Sequence, residues 1–142
     1  MPQNTDEYQI IWLIRRLFRA LAQKSDDSLR DLGISSADRA VIEFLHPDEK
    51  LSVPEIAERY QVSRQHVQVT VNGLLSADWL TTDINPRHKR SPLIMLTTKG
   101  KEIFRIIKAR DSKAVKTLFE NIPEKHRHIT QQTLETLLNE LK

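Results

Sequence analysis

The chain of 142 residues contains no cysteine and only three glycines. Without cysteine it can form no disulfide, no thiolate zinc site and no thiol redox sensor. No apolar run approaches the roughly 20 residues that cross a bilayer. The first residues, MPQNTDEYQ, lack the basic and apolar segments of a signal peptide. We therefore predict a cytoplasmic protein with no membrane partner.

Motifs for catalysis and for resident cofactors are also scarce. The chain has no Gly-x-Ser-x-Gly segment and no phosphate loop, and Gly100-Lys101 lacks the preceding glycine and following hydroxyl of a Walker motif. His126 and His128 stand two residues apart at the start of a predicted helix, where side chains diverge. With Glu124 they could bind zinc only adventitiously. The sequence thus predicts no enzyme, no cofactor and no metal site.

Positive charge is concentrated in the middle of the chain. Residues 59–101 contain seven basic and two acidic residues, whereas the remainder contains 15 basic and 17 acidic residues. Alone, this distribution is typical of a solvated surface, but it also suits local contact with a polyanion.

The hydrophobic pattern predicts a mainly α fold with a small β-hairpin wing, that is, a winged helix-turn-helix with N- and C-terminal dimerisation helices. We expect an N-terminal dimerisation helix in 1–34, a DNA-binding module in 35–98 and C-terminal dimerisation helices in 99–142. The predicted elements are helices from Thr5 to Leu32, after Ser35 or Ser36, after Ser52, from Arg64 to Ala77, after Thr97 or Thr98 and after Pro123, a short strand at Leu51, and strands Trp79–Ile84 and Leu93–Leu96.

The first predicted helix is apolar around most of its circumference. A helix of this kind is buried on more than one side. In so small a chain this favours packing against a second subunit, giving a two-fold homodimer; the alternative is a central core helix in a monomer.

The helix after Ser63 has the chemistry of a DNA-reading helix. Val67, Val71 and Leu74 form its inward stripe, and the opposite face carries no acid. Such a helix can lie in the major groove, where glutamine and asparagine pair with adenine, arginine pairs with guanine or phosphate, and valine contacts a thymine methyl. The candidate residues are Ser63, Arg64, Gln65, His66, Gln68, Val69 and Asn72. An ordinary polar helix face is the alternative reading of this pattern.

A cationic loop, residues 85–91, joins the two predicted strands. Its candidate DNA-binding residues are Arg87, His88, Lys89 and Arg90. Pro86 and Pro92 stiffen its base. A tip of this kind fits the electronegative minor groove. The alternative is a solvated turn that contacts no partner.

From Gly33 to Gly100 the chain resembles the MarR family of bacterial transcriptional regulators. The resemblance rests on Ile56-Ala57, Ser63-Arg64-Gln65, Asn85-Pro86 with Arg90, and Leu96-Thr97 with Gly100. It implies a homodimer on a pseudo-palindromic duplex operator, usually a repressor, with Arg90 entering the minor groove. It also implies release by a small anionic or aromatic effector, for which Trp12, Arg15 and Arg16 are candidates.

The sequence departs from the family pattern at three positions. His88 replaces a wing aspartate that pairs with the arginine, Val69 replaces an arginine of the recognition helix, and Asp78 replaces a glycine after that helix. These departures leave a second hypothesis open: a helical protein–protein interaction module that uses the winged fold without specific DNA binding.

Overall fold

The computed structural model describes residues 5–142. Its elements are α1 (Asp6–Leu29), a 3₁₀ turn (Arg30–Leu32), α2 (Ser36–Leu45), β1 (Leu51–Ser52), α3 (Val53–Tyr60), α4 (Arg64–Ser76), β2 (Leu80–Asp83), β3 (Leu93–Leu96), α5 (Thr98–Phe119) and α6 (Glu124–Glu140). The predicted mainly α, winged helix-turn-helix fold is confirmed. Two compact units divide the chain, residues 1–105 and 106–142.

Local polar groups set the starts of the helices. Ser35 and Ser52 each form a capping box, in which the serine hydroxyl accepts from the backbone N–H three residues on and the carboxylate there accepts from the serine N–H. Ser63 caps α4 by accepting from the His66 N–H. The caps Ser52 and Ser63 lie where the sequence predicted them, and of the two starts left open for the second helix, Ser35 is the cap.

Some predicted boundaries are wrong by a few residues. The first helix ends at Leu29 rather than Leu32, because the chain tightens into the 3₁₀ turn before Gly33 (φ +70°) reverses it. The fourth helix ends at Ser76, with Ala77 as its C-cap residue, and the first strand of the hairpin is Leu80–Asp83 rather than Trp79–Ile84.

The three strands form an antiparallel sheet in the order β1-β3-β2. The ladder between β2 and β3 runs from Leu80 opposite Leu96 to Asp83 opposite Leu93. Beyond that last pair the two strands separate into the wing loop.

One hydrophobic core joins α2, α3, α4, the sheet and the start of α5. Its fully buried members include Ile42, Ile56, Val67, Leu80 and Ile94. Because the inward stripe of α4 packs into this core, its opposite face is fixed toward solvent.

Gly100 closes the module at the start of α5. A Cβ built at this position would lie 2.1 Å from the Trp79 carbonyl oxygen. Thr97 secures the same junction, since its N–H donates to Trp79 O and its hydroxyl donates to Asp78 O and accepts from Gly100 N–H. Position 100 at the end of the Leu-Thr-x-x-Gly segment therefore requires glycine, because any side chain would clash with the Trp79 backbone.

Many apolar side chains of α1, α5 and α6 are exposed, in contrast to the core. Phe18 is 71% exposed, and the other exposed apolar residues of these helices include Ile10, Leu13, Leu17, Leu118, Ile129 and Leu138. Within residues 5–105, Leu29 is the one buried residue of α1, so this helix is not at the centre of that unit's core.

Candidate nucleic-acid interface

All eleven predicted DNA-binding residues lie on the surface of the unit formed by residues 1–105. Ser63 caps α4, six further residues lie on α4, and four lie in the wing loop. Val69 is 67% exposed although it is apolar, so it is available for contact with another molecule.

The exposed face of α4 adjoins the wing across a cleft of about 320 Å³. Its lining includes Arg64, Gln65 and Gln68 from the helix and Arg90 from the wing, and it includes no acidic residue. Two guanidinium groups and two amides thus face one groove, which suits a polyanionic strand.

A second cleft adjoins the first and shares Arg64 with it. Arg87 and His88 line it together with Glu55 and Glu58 of α3. Hydrogen bonds from Ser52 hold the pKa of Glu55 below its ordinary value, and the positive charge of Arg87 contributes in the same direction. Arg87 and Arg90 therefore face different electrostatic surroundings, which the sequence pattern did not distinguish.

Lys89 faces a third cleft, which Asp83 and Ile84 also line. The Asp83 carboxylate accepts from Lys50 Nζ at 3.1 Å, and this bond, with the Ile84 N–H, lowers the pKa of Asp83. The negative charge of Asp83 is thereby paired with a lysine outside the wing loop.

Two amide side chains on α4 are hydrogen-bonded to each other. Gln68 Nε2 donates to Asn72 Oδ1 at 2.9 Å. The pair has the i, i+4 spacing at which helix side chains meet. The hydrogen bond holds the two amides side by side, and their remaining donors and acceptors are free to bind another molecule at the surface of α4.

Asn85 is the residue of this region that was absent from the predicted set. It is buried, whereas its neighbours in the wing loop are exposed or half-buried. An Asn-Pro pair at the start of a loop is a turn signal that could have indicated it, but burial of its side chain depends on the folded hairpin.

The predicted effector residues lie on α1. Trp12, Arg15 and Arg16 have the spacing of one helix face, and all three are exposed. Their role stays a prediction. Within residues 5–142, no three histidine or acidic side chains cluster as metal ligands, and no helix is both long and apolar enough to cross a membrane.

These features define a winged helix-turn-helix protein. Residues 32–91 match the family model described as MarR family. Uncharacterized proteins of Mycobacterium bovis and Mycobacterium tuberculosis are each 38% identical over 63 residues, which is 44% of this chain and 44% of each relative. The match therefore spans less than half the length of these curated relatives.

Solved structures resemble the chain over nearly its whole length. A MarR protein from Peptoclostridium difficile has a TM-score of 0.88 at 16% identity, covering 99% of this chain and 92% of that one. BldR from Sulfolobus solfataricus has a TM-score of 0.82 at 18% identity, covering 99% and 98%. MepR of S. aureus, solved as a DNA complex, has a TM-score of 0.82 at 20% identity, covering 92% and 96%.

At these identities the structural matches establish the fold. The family-model match adds a likeness of the central module, residues 32–91, to the MarR family. The resemblance predicted from the sequence is found again in that module.

Proposed function

We propose that this protein is a dimeric, sequence-specific DNA-binding transcriptional regulator that acts as a repressor. The observation that carries the proposal is the acid-free cleft shared by Arg64, Gln65 and Gln68 of α4 and Arg90 of the wing. A DNA strand lying between a major groove filled by α4 and a minor groove filled by the wing would run along this cleft. The MepR structure of the same fold, which is a DNA complex, supports this reading.

Two roles divide the candidate residues. Gln65, Val69 and the Gln68–Asn72 pair have base-reading chemistry and lie on the exposed face of α4. Arg64 of α4 and the three wing cations Arg87, Lys89 and Arg90 are suited to phosphates, which position a protein without specifying sequence.

The homodimer is part of the proposal because the terminal helices expose more apolar surface than a lone chain needs. Large apolar side chains such as Phe18, Leu17 and Leu138 have most of their surface in solvent. Exposed large apolar side chains in such number favour an association site on these helices. A second copy related by a two-fold axis would present two recognition helices to a pseudo-palindromic operator.

The test begins with duplex DNA selected from a genomic pool by the purified protein. Affinity for the selected duplex is then measured by anisotropy between low and moderate salt. Each phosphate contact contributes about −0.9 to the log–log slope of affinity against salt. We expect a slope of several units, about −5 if all six wing cations of a dimer contact phosphate.

Variants separate the two roles. Arg90→Ala should weaken binding to every duplex and reduce the salt slope by about one per protomer. Gln65→Ala should instead change which duplex is preferred. Lys125→Ala, which removes an exposed cation of α6, serves as the charge-matched control and should leave the slope unchanged. A slope near zero would contradict DNA binding and favour the protein-interaction module.

A further inference from the structure

Asn85 stands out among the polar residues of the winged region because it is buried. It is 6% exposed, and within the described residues it shares this status with Ser52. A buried amide is costly unless its donors and acceptors are paired. Ser52 caps α3, so its burial has a structural explanation, whereas Asn85 lies in a surface loop beside a stretch of cations.

The Asn85 side chain joins both ends of the wing loop. Its Oδ1 accepts from the Arg87 N–H at 3.1 Å, and its Nδ2 donates to the Ser91 carbonyl at 2.8 Å. A backbone bond from the Ser91 N–H to the His88 carbonyl, also 3.1 Å, closes the turn inside this bridge.

No strand pairing can replace this bridge. The ladder between β2 and β3 ends at the pair Asp83 and Leu93. Pro86 and Pro92 flank the loop and have no N–H to donate. Past the last ladder pair, the side chain of Asn85 joins the two ends of the loop, and the backbone bond from Ser91 to His88 lies inside that bridge.

The position of Arg90 depends on that path. The loop from 85 to 91 contains no acid, since His88 occupies the usual aspartate position. Asp83 is engaged by Lys50. Within residues 5–142 Arg90 forms none of the ion pairs found, so its guanidinium is directed by the backbone that carries it rather than by a carboxylate.

We propose that Asn85 is the positioning residue of the wing: its bridge between Arg87 and Ser91 holds the loop so that Arg90 faces the cleft beside α4. This inference rests on the proposed DNA-binding function. It assigns to a buried amide the orienting role that a wing aspartate has in the family pattern.

The experiment measures what Arg90 contributes to duplex binding with and without the bridge. In the wild-type background, Arg90→Ala should raise the dissociation constant for the duplex about tenfold. In the Asn85→Ala background, Arg90→Ala should raise the dissociation constant less than about threefold, because a disordered loop no longer holds Arg90 at the cleft beside α4. Equal factors in the two backgrounds would overturn the positioning role.

Ser91→Ala is the matched control. It truncates a neighbouring loop residue but keeps the Ser91 carbonyl to which Asn85 donates. Arg90→Ala should therefore retain its full tenfold effect in this background. Loss of the effect here as well would mean that any loop truncation removes it, and would overturn the specific role of Asn85.

Hydrogen exchange tests the bridge without DNA. In Asn85→Ala, the Arg87 and Ser91 amides should exchange at least about tenfold faster, while core amides such as Val71 keep their protection. Unchanged exchange at both loop amides would overturn the bridge, and loss of core protection would show an unfolded variant rather than a disordered wing. Failure of the wild-type protein to bind duplex would overturn the proposed function instead, leaving the exchange result to decide whether Asn85 orders the loop.

Discussion

The winged module, from α2 to the start of α5, and the terminal helices, which are α1, the rest of α5 and α6, contain the same kinds of apolar residue in different surroundings. Ile42, Val67 and Ile94 of the module are buried, whereas Phe18 of α1 and Leu138 of α6 are exposed in a single chain. Burial of apolar surface is the main stabilising term in folding. The module therefore holds its own core, while the terminal helices have apolar surface left for association.

Because of this difference, substitutions in the two regions should affect stability in different ways. A change inside the module should alter the free energy of unfolding at any protein concentration. A change on the terminal helices should alter a stability that depends on protein concentration, since association is linked to folding by mass action. The following predictions test this division.

Gly100→Ala should have the largest effect. The new Cβ would lie 2.1 Å from the Trp79 carbonyl oxygen, a backbone atom that cannot move without disturbing the junction between β2 and α5. We expect a loss of about 3 kcal/mol or more in the free energy of unfolding. Denaturant titration at two protein concentrations should show a similar loss at both. A loss below about 0.5 kcal/mol would contradict the close approach.

Phe18→Asp should affect association instead. Phe18 is the most exposed large apolar residue of α1 and projects its ring into solvent. If it lies in the dimer interface, a buried unpaired carboxylate should weaken dimerisation by about 2 kcal/mol, roughly 30-fold. Sedimentation equilibrium measures this change. Lys24→Asp, an exposed charge reversal on the same helix, is the control, and equal effects of the two would place the interface elsewhere.

Ser52→Ala tests the polar part of the module. Ser52 is buried and its hydroxyl is hydrogen-bonded to the Glu55 carboxylate and to the Glu55 N–H. Removing an N-cap serine costs about 1 kcal/mol. At pH 7 the variant should lose about that amount in urea titrations.

The cost of Ser52→Ala should shrink in acid. Hydrogen bonds from Ser52 lower the pKa of folded Glu55 below its ordinary value of 4.5. Stability from such a group is present above the unfolded pKa and is lost as pH falls through the folded pKa. The variant keeps the backbone N–H bond to Glu55, which is the largest cause of the lowered pKa, and loses the hydroxyl bond. The difference between wild type and variant should therefore narrow below pH 4.5 by the contribution of the hydroxyl alone. Glu58→Gln, which removes an exposed carboxylate of the same helix, should leave that difference unchanged.

Local features of the fold were predictable from sequence because their causes are local. Ser35, Ser52 and Ser63 cap helices through bonds to residues three positions away, and this spacing is visible in the sequence. The predicted end of α1 was wrong because the 3₁₀ turn continues helix-like backbone for three more residues. Helix propensity does not distinguish α-helical from 3₁₀ backbone, so it could not place the boundary between α1 and this turn.

Features that depend on distant contacts were not predictable. The approach of Gly100 to Trp79 joins residues about twenty positions apart, and the family pattern names the glycine without giving this reason. Burial of Asn85 requires the closed hairpin, and the opposed surroundings of Arg87 and Arg90 require α3 and α4 to be in place. Sequence alone grouped both arginines in one cationic tip.

Gly73→Ala should have the smallest effect and the opposite sign. Gly73 lies in α4, and a Cβ built there meets nothing within 4 Å. Alanine should therefore stabilise the helix by up to about 1 kcal/mol. Unlike Gly100, this glycine has no packing reason within the chain, so we expect it to be a tolerated defect with an unchanged duplex dissociation constant. Stabilisation combined with a more than tenfold loss of duplex affinity would show instead that α4 approaches DNA closely at Gly73, and would make it a contact position of the recognition helix.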